Sequence, residues 1–197
     1  MMTEVRNVEV SPVNRKEILR YAGCKTADEN VLKLLEEALA EALPTLTFKV
    51  CFTELSVKSN GSTCSFGAFS VCSKDLAKNL AGCEKALVFG ATLGVGIDRL
   101  IAKYAKISPS KALILQAVGA ERLEALCDTF CKQTEIEKGI TLKPRFSPGY
   151  GDLSLSVQAD IINLLEAPKR IGLTLNNSLL MSPAKSVTAF VGVGEKK

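Results

Sequence analysis

The run Ala86-Leu87-Val88-Phe89 places four apolar residues in succession, a pattern suited to a strand buried on both faces rather than one with a wet side. It leads into Gly90-Ala91-Thr92-Leu93-Gly94-Val95-Gly96, after which Ile97 to Tyr104 resumes helical spacing. A strand, a glycine turn and a helix in that order can receive an anion at the helix N-terminus. The spacing G-x-x-x-G-x-G matches neither the dinucleotide fingerprint nor the phosphate loop with its lysine, and tight strand-to-helix packing accounts for the glycines equally well.

The segments around this unit do not alternate strand and helix regularly enough for a doubly wound sheet. Residues 14–21 predict a short helix ended by Gly23. Asp28 is placed to cap a second helix, along which Val31, Leu32, Leu35, Leu39 and Leu43 keep an i, i+3/i+4 stripe as far as Pro44. Residues 46–57 alternate, Phe48, Val50 and Phe52 against Thr47, Lys49 and Thr53, as in a half-buried strand. Asn60-Gly61 reads as a hairpin turn, 64–71 as the returning strand and 74–80 as a short helix.

A long helix is predicted from Pro109 into the region of Glu135, with Ser108 as its cap and Leu123, Leu126 and Phe130 as its core stripe. Beyond Gly139 come a short extended piece, a brief helix over 158–165 with Pro168 near its end, and strands over 173–175 and 186–193; Met181 to Ser186 reads as a polar turn. The expected fold is α+β, an antiparallel or mixed β-sheet with flanking helices. The expected organisation is a single domain over 1–197, with an N-terminal helical segment (1–45), an α+β core (46–193) and a loose tail (194–197).

Composition removes several chemistries. The chain has no histidine, which excludes Ser-His-Asp and Cys-His catalysis, H-E-x-x-H zinc sites and any histidine ligand to a cofactor metal. Its seven cysteines form no C-x-x-C pair, so they read as small buried hydrophobes of a reducing compartment rather than metal ligands. A net charge of +4 is mild and the basic residues are scattered, unlike a nucleic-acid stripe. The start lacks the basic-then-apolar order of a signal peptide, and the uncharged run 86–97 is short of the roughly 18 residues a membrane helix needs. A soluble, cytoplasmic protein is expected.

The candidate site lies in Arg145-Phe146-Ser147-Pro148-Gly149-Tyr150-Gly151-Asp152, where a guanidinium, a hydroxyl, a phenol and a carboxylate fall within one stretch stiffened by Pro148 and turned by Gly149 and Gly151. Arg145 can fork onto a carboxylate or phosphate. The plainer reading is a Pro-Gly turn whose arginine pairs with a neighbour. On the long helix, Glu124 and Asp128 lie one turn apart at the edge of the apolar stripe, beside Cys127 and Cys131. They can receive an ammonium or ribose hydroxyls, or form a solvated flank.

The order Arg145-x-x-Pro148-Gly149-Tyr150, Gln158, Ile171-Gly172-Leu173-Thr174 and Ser178-x-x-Met181-x-Pro183-x-x-Ser186-Val187 resembles the C-terminal activation domain of cobalamin-dependent methionine synthase. The forms R-F-S-P-G-Y-G-D and K-S-V-T look most like the stand-alone activation (reactivation) proteins of bacteria whose synthase lacks that domain. Arg15-x-Glu17-x-x-Arg20-Tyr21, Ala91-Thr92-Leu93-Gly94 with Asp98, and Glu124-Ala-x-Cys127-Asp128 agree, so that the resemblance spans about residues 13–193.

That resemblance implies an S-adenosylmethionine-binding activation subunit. It would support reductive methylation of inactive cob(II)alamin to methylcobalamin on a partner protein, with flavodoxin or another one-electron donor supplying the electron. The sulfonium methyl is already activated and the reduced cobalt is the nucleophile, so no general base and no catalytic residue of this chain is needed; its task is to hold the methyl in line. The chain would be part of a methyltransferase system without a complete active site of its own. Arg145 would bind the methionine carboxylate, Ser147, Pro148, Gly149 and Tyr150 would shape the adenosine and sulfonium end, Glu124 would meet the ligand's polar groups, and Asp128 would assist.

The chain departs from the family in two places. Asn176-Asn177 stands where fused domains carry Thr-Glu, and the later aromatic-bearing strand is absent before Lys197. The family's cobalamin module needs a histidine, so the corrinoid is expected on a partner docked over the Arg145 loop. A sensor or interaction module that binds S-adenosylmethionine or a nucleotide without a part in methyl transfer remains the alternative.

Overall fold

A computed structural model of the chain describes residues 2–67 and 69–194. In chain order the elements are β1 (Glu4–Asn7), α1 (Arg15–Tyr21), α2 (Glu29–Ala42), β2 (Lys49–Ser56), β3 (Lys58–Ser59), β4 (Thr63–Ser65), β5 (Ser70–Cys72), α3 (Lys74–Asn79), β6 (Lys85–Thr92), α4 (Gly96–Ile107), α5 (Pro109–Lys138), β7 (Thr141–Leu142), α6 (Val157–Leu164), α7 (Ala167–Ile171), β8 (Thr174–Leu175), β9 (Met181–Ser182) and β10 (Ser186–Gly194). The fold is α+β. Five strands form an antiparallel sheet in the order β1-β2-β6-β10-β7, with a small sheet β3-β4-β5 and a ladder β8-β9 beside it.

The apolar run at 86–89 is the reason for this arrangement. β6 is central, and seven of its eight residues are buried. Leu87, Phe89 and Ala91 face a core built with Val50, Phe52, Ala189, Val191 and the inner sides of α1, α2 and α5, while Ala86 and Val88 face a second core with Cys51, Leu55, Phe190 and the residues of α3, α6 and α7. Each cluster removes apolar surface from water on one side of the same sheet. β2, expected to be half-buried, is likewise covered on both faces, because Cys51 and Thr53 are as enclosed as Val50 and Phe52.

Several local expectations change. Gly90 lies inside β6 rather than in the turn after it. Gly94 and Gly96 are required by packing: a Cβ on Gly94 would fall 2.4 Å from Thr45's neighbour Thr47 Oγ1, and one on Gly96 would fall 2.3 Å from the Thr45 carbonyl. Close packing against residues 45–47, one of the two sequence readings, thus accounts for these glycines. Asn60-Gly61 does turn the chain, but into the small β3-β4-β5 sheet, so that 64–71 is not a single strand returning along β2. Strand β1, absent from the sequence reading, pairs with β2, so the segment 1–45 contributes a strand as well as helices. Met181-Ser182, read as part of a turn, pairs with Thr174-Leu175.

On α2 the stripe keeps Leu35 and Leu39 but leaves Leu32 and Leu43 exposed, their place taken by Ala38 and Ala42. At the other end, Ser108 occupies the cap position of α5 without a side-chain hydrogen bond. Gly194, expected to begin a loose tail, closes β10 opposite Thr141; residues 195–197 lie outside the described ones.

The Arg145 loop is fixed to this framework at both ends. Phe146 exchanges two backbone hydrogen bonds with Phe190 of β10, at 2.9 and 2.8 Å. At the far end the Asp152 carboxylate accepts from the Ser73 hydroxyl and from the Lys74 (2.8 Å) and Asp75 (3.2 Å) backbone N–H groups. It thus caps α3, and those donors hold its pKa below the ordinary carboxylate value, the Ser73 hydroxyl foremost. A depressed folded pKa contributes stability that is present above the unfolded value and lost as pH falls through the folded one. Removing the cap in Asp152→Ala should lower stability at neutral pH, the deficit shrinking as pH falls from the unfolded carboxyl's value of about 4 through the lower folded one. Urea unfolding at pH 7 and pH 3 checks this, and equal stability of the two proteins at pH 7 would refute the capping role.

Candidate functional site

A cleft of about 930 Å³ opens between α5 and the segment 142–150, within the size range of small-ligand sites. Glu124, Cys127, Asp128, Cys131 and Glu135 of α5 form one wall; Lys143, Arg145, Ser147, Pro148 and Tyr150 stand across from them, and Asn79, Gln158, Met181, Val187 and Thr188 also line the cleft. Of the residues expected at the site, Arg145, Ser147, Pro148, Tyr150, Glu124 and Asp128 converge here. Gly149 does not line the cleft; its φ of +91° makes the turn that presents Pro148 and Tyr150.

Arg145 reaches over the edge of α5. One guanidinium nitrogen lies 2.7 Å from Glu124 Oε2 and the other 2.5 Å from Asp128 Oδ1, so the helical spacing of the two acids is matched by the fork of one arginine. Both sequence readings of Arg145 are thereby joined: it pairs with neighbours, and it does so at a cleft. The acids are more than half exposed and the guanidinium is a quarter exposed. Exposed pairs of this kind contribute about 0–1 kcal/mol each, little enough for an incoming carboxylate to take over one prong.

Burial works against the Arg145 charge, but the carboxylates of Asp128 and Glu124 favour it, and the guanidinium is held above its usual pKa. Beneath it, burial pushes the Cys127 thiol up to about 12, against the attraction of Arg145. Cys131 is raised by the same cause and opposed by the same cation. The two thiols are thus neutral packing groups at physiological pH. Among the described residues no group of three or more cysteines and carboxylates is arranged to hold a metal ion.

The opposite wall contains residues that sequence reasoning did not assign to the site. Gln158 is buried and donates through Nε2 to the Leu179 carbonyl at 3.2 Å, which ties α6 to the approach to β9. Met181 is set by the turn that follows it: Asp98 at the start of α4 accepts from the Ala184 N–H at 2.7 Å, and the Lys185 stem lies over Gly119 of α5, where a Cβ would come within 2.9 Å of Lys185 Cε. Thr188 lines the cleft from β10, and its hydroxyl has no partner among the described residues. Its only sequence signal was its place in K-S-V-T, which reads as an ordinary strand residue. Asp152, the remaining polar group of the loop, is engaged at α3 and takes no part in the cleft.

These features define an α+β protein with a charged, ligand-sized cleft along the edge of its sheet. No protein-family model matches the chain, and no curated protein matches it either. Among solved structures it is similar to a crystal structure of the MetH reactivation domain bound to AdoHcy, with a TM-score of 0.69 at 13% identity, over 100% of this chain and 80% of that one. At that identity the likeness shows the fold, and it is the fold that the resemblance of the Arg145 and Met181 motifs implied.

Thiol reactivity checks the electrostatics of the cleft. On brief iodoacetamide treatment at pH 8, the exposed Cys72 should be modified while Cys127 stays protected until the protein unfolds. Mass spectrometry locates the adducts, and modification of Cys127 as fast as Cys72 would contradict a buried, neutral thiol.

Proposed function

We propose that the protein binds S-adenosylmethionine in the Arg145 cleft and acts as the activation subunit of a cobalamin-dependent methionine synthase, supporting reductive methylation of a corrinoid held by a partner protein. The observation that carries this reading is the set of three charges at the cleft. Arg145 offers a fork for a carboxylate, and Glu124 and Asp128 beside it offer acceptors for an ammonium. The α-amino-acid end of the ligand presents both groups on one carbon.

The net charge of the three side chains, one positive and two negative, is −1; S-adenosylmethionine, with one carboxylate, one ammonium and one sulfonium, is +1. Opposite net charges favour the pairing, the more so where the bound ligand excludes water from the charges. The likeness to a reactivation domain that binds AdoHcy, the demethylated form of the same molecule, supports the choice of ligand.

Within this reading the chain binds, orients and excludes water. Arg145 fixes the amino-acid end, Ser147, Pro148 and Gly149 hold the loop against the nucleoside, and the exposed Tyr150 stands at the mouth where the partner would arrive. The corrinoid supplies the nucleophile, and an external donor such as flavodoxin supplies the electron. The setting is the cytoplasm; no helix among the described residues is long and apolar enough to cross a membrane.

Titration calorimetry with S-adenosylmethionine tests the binding half. Arg145→Ala should weaken binding on the order of 10- to 100-fold, the scale of a lost charge-assisted fork, while a wild-type protein that binds neither S-adenosylmethionine nor AdoHcy would overturn the reading. The activation half is tested by the cob(II)alamin absorbance of a reduced partner. The spectrum should convert to the methylated form only with both this protein and S-adenosylmethionine present, and an unchanged spectrum would leave a binding module without a part in methyl transfer.

A further inference from the structure

The edge of β10 is interrupted at Thr188. Leu93 donates to the Lys185 carbonyl at 2.9 Å, which makes residue 185 and every second residue after it the ones that bond to β6; the even-numbered residues face the other way. Phe190 uses its outward N–H and C=O on Phe146, and Gly192 uses its carbonyl on Lys143 N–H at 2.8 Å. The same register would set Thr188 opposite Pro148. Proline has no N–H to give, and the chain turns away at Gly149, so no backbone group of the loop reaches Thr188.

Thr188 is only 1% exposed, yet its N–H and C=O have no backbone partner and its hydroxyl has none at all among the described residues. Buried backbone donors and acceptors are paired in the great majority of cases, and a deeply enclosed residue with an unused donor, acceptor and hydroxyl facing a cleft marks a place where something else completes the bonding. Pro148, Val187, Phe146 and Met181 supply uncharged lining to the cleft, whose ionic groups are Glu124, Asp128 and Glu135 of α5 with Lys143 and Arg145.

We infer that Thr188 is the residue that reads the heterocycle of the ligand, its free strand edge and hydroxyl pairing with the polar rim of an adenine ring whose faces lie against the neighbouring apolar side chains. This rests on the proposed S-adenosyl ligand and adds to it the contact that selects the base. A strand edge offers a donor and an acceptor in one plane. Adenine presents their complement, an amine N–H beside a ring nitrogen, whereas hypoxanthine reverses both on that rim by carrying an oxygen and an N–H.

Calorimetry with S-adenosylhomocysteine and S-inosylhomocysteine tests the assignment in the full-length protein. The wild type should favour the adenosyl compound by at least about tenfold. Thr188→Val, which keeps the shape and removes the hydroxyl, should weaken S-adenosylhomocysteine binding roughly fivefold without lowering the melting temperature of the ligand-free protein, because the group removed has no partner there; Thr188→Ser should bind like the wild type. Equal binding by wild type and Thr188→Val, or no preference between the two compounds, overturns the role of Thr188 while the ligand reading stands. A loss of melting temperature in ligand-free Thr188→Val overturns it too, as the mark of a structural hydroxyl. If the wild type binds neither compound, the ligand reading itself falls.

Discussion

Burying β6 on both faces dictates the rest of the molecule. A strand that carries Ala86, Leu87, Val88, Phe89 and Ala91 without a wet side needs a core above the sheet and another below it. The 30-residue α5, with α1 and α2, supplies one; α3, α6 and α7 supply the other. Because the two layers meet only at the sheet's margins, the β10 edge is where helix α5 and the loop that follows β7 come face to face. The cleft lies in that seam.

The charges at the seam follow from the same geometry. Leu126, Cys127 and Phe130 turn one side of α5 into the core, which leaves Glu124 and Asp128 on its rim, one turn apart. Arg145 enters from a segment pinned to β10 through Phe146 and to α3 through Asp152, so its guanidinium spans both acids. A rigid scaffold thereby holds three ionic groups that are individually weak partners in water but jointly complementary to a zwitterion. The unpaired strand edge in the cleft, at Thr188, arises from the break that Pro148 puts in the strand pairing.

The sequence made the buried strand, the long helix, the cap at Asp28 and the Arg145 loop legible, since each rests on local spacing or on a residue with restricted backbone chemistry, whereas Asn14, read as the first helical residue, proves to be the cap of α1. It also assembled most of the cleft, although Glu124 and Arg145 are 21 positions apart, through the resemblance of ordered motifs rather than through periodicity. What it could not show was set by long-range pairing. β1 has only four residues and becomes a strand by lying against β2; Met181-Ser182 becomes one by lying against Thr174-Leu175. The role of Gly94 and Gly96 depends on Thr45 and Thr47, and the orphaned edge at Thr188 depends on which residue of a distant loop falls opposite it.

The central claim is that Arg145, braced by Glu124 and Asp128, recognises the carboxylate of a zwitterionic S-adenosyl ligand. Decarboxylated S-adenosylmethionine keeps the adenosine, the sulfonium and the amine and lacks only that group. Its dissociation constant, measured by calorimetry beside that of S-adenosylmethionine, should be at least about tenfold higher, the scale of one charge-assisted hydrogen bond. Equal affinity for the two compounds would contradict the account.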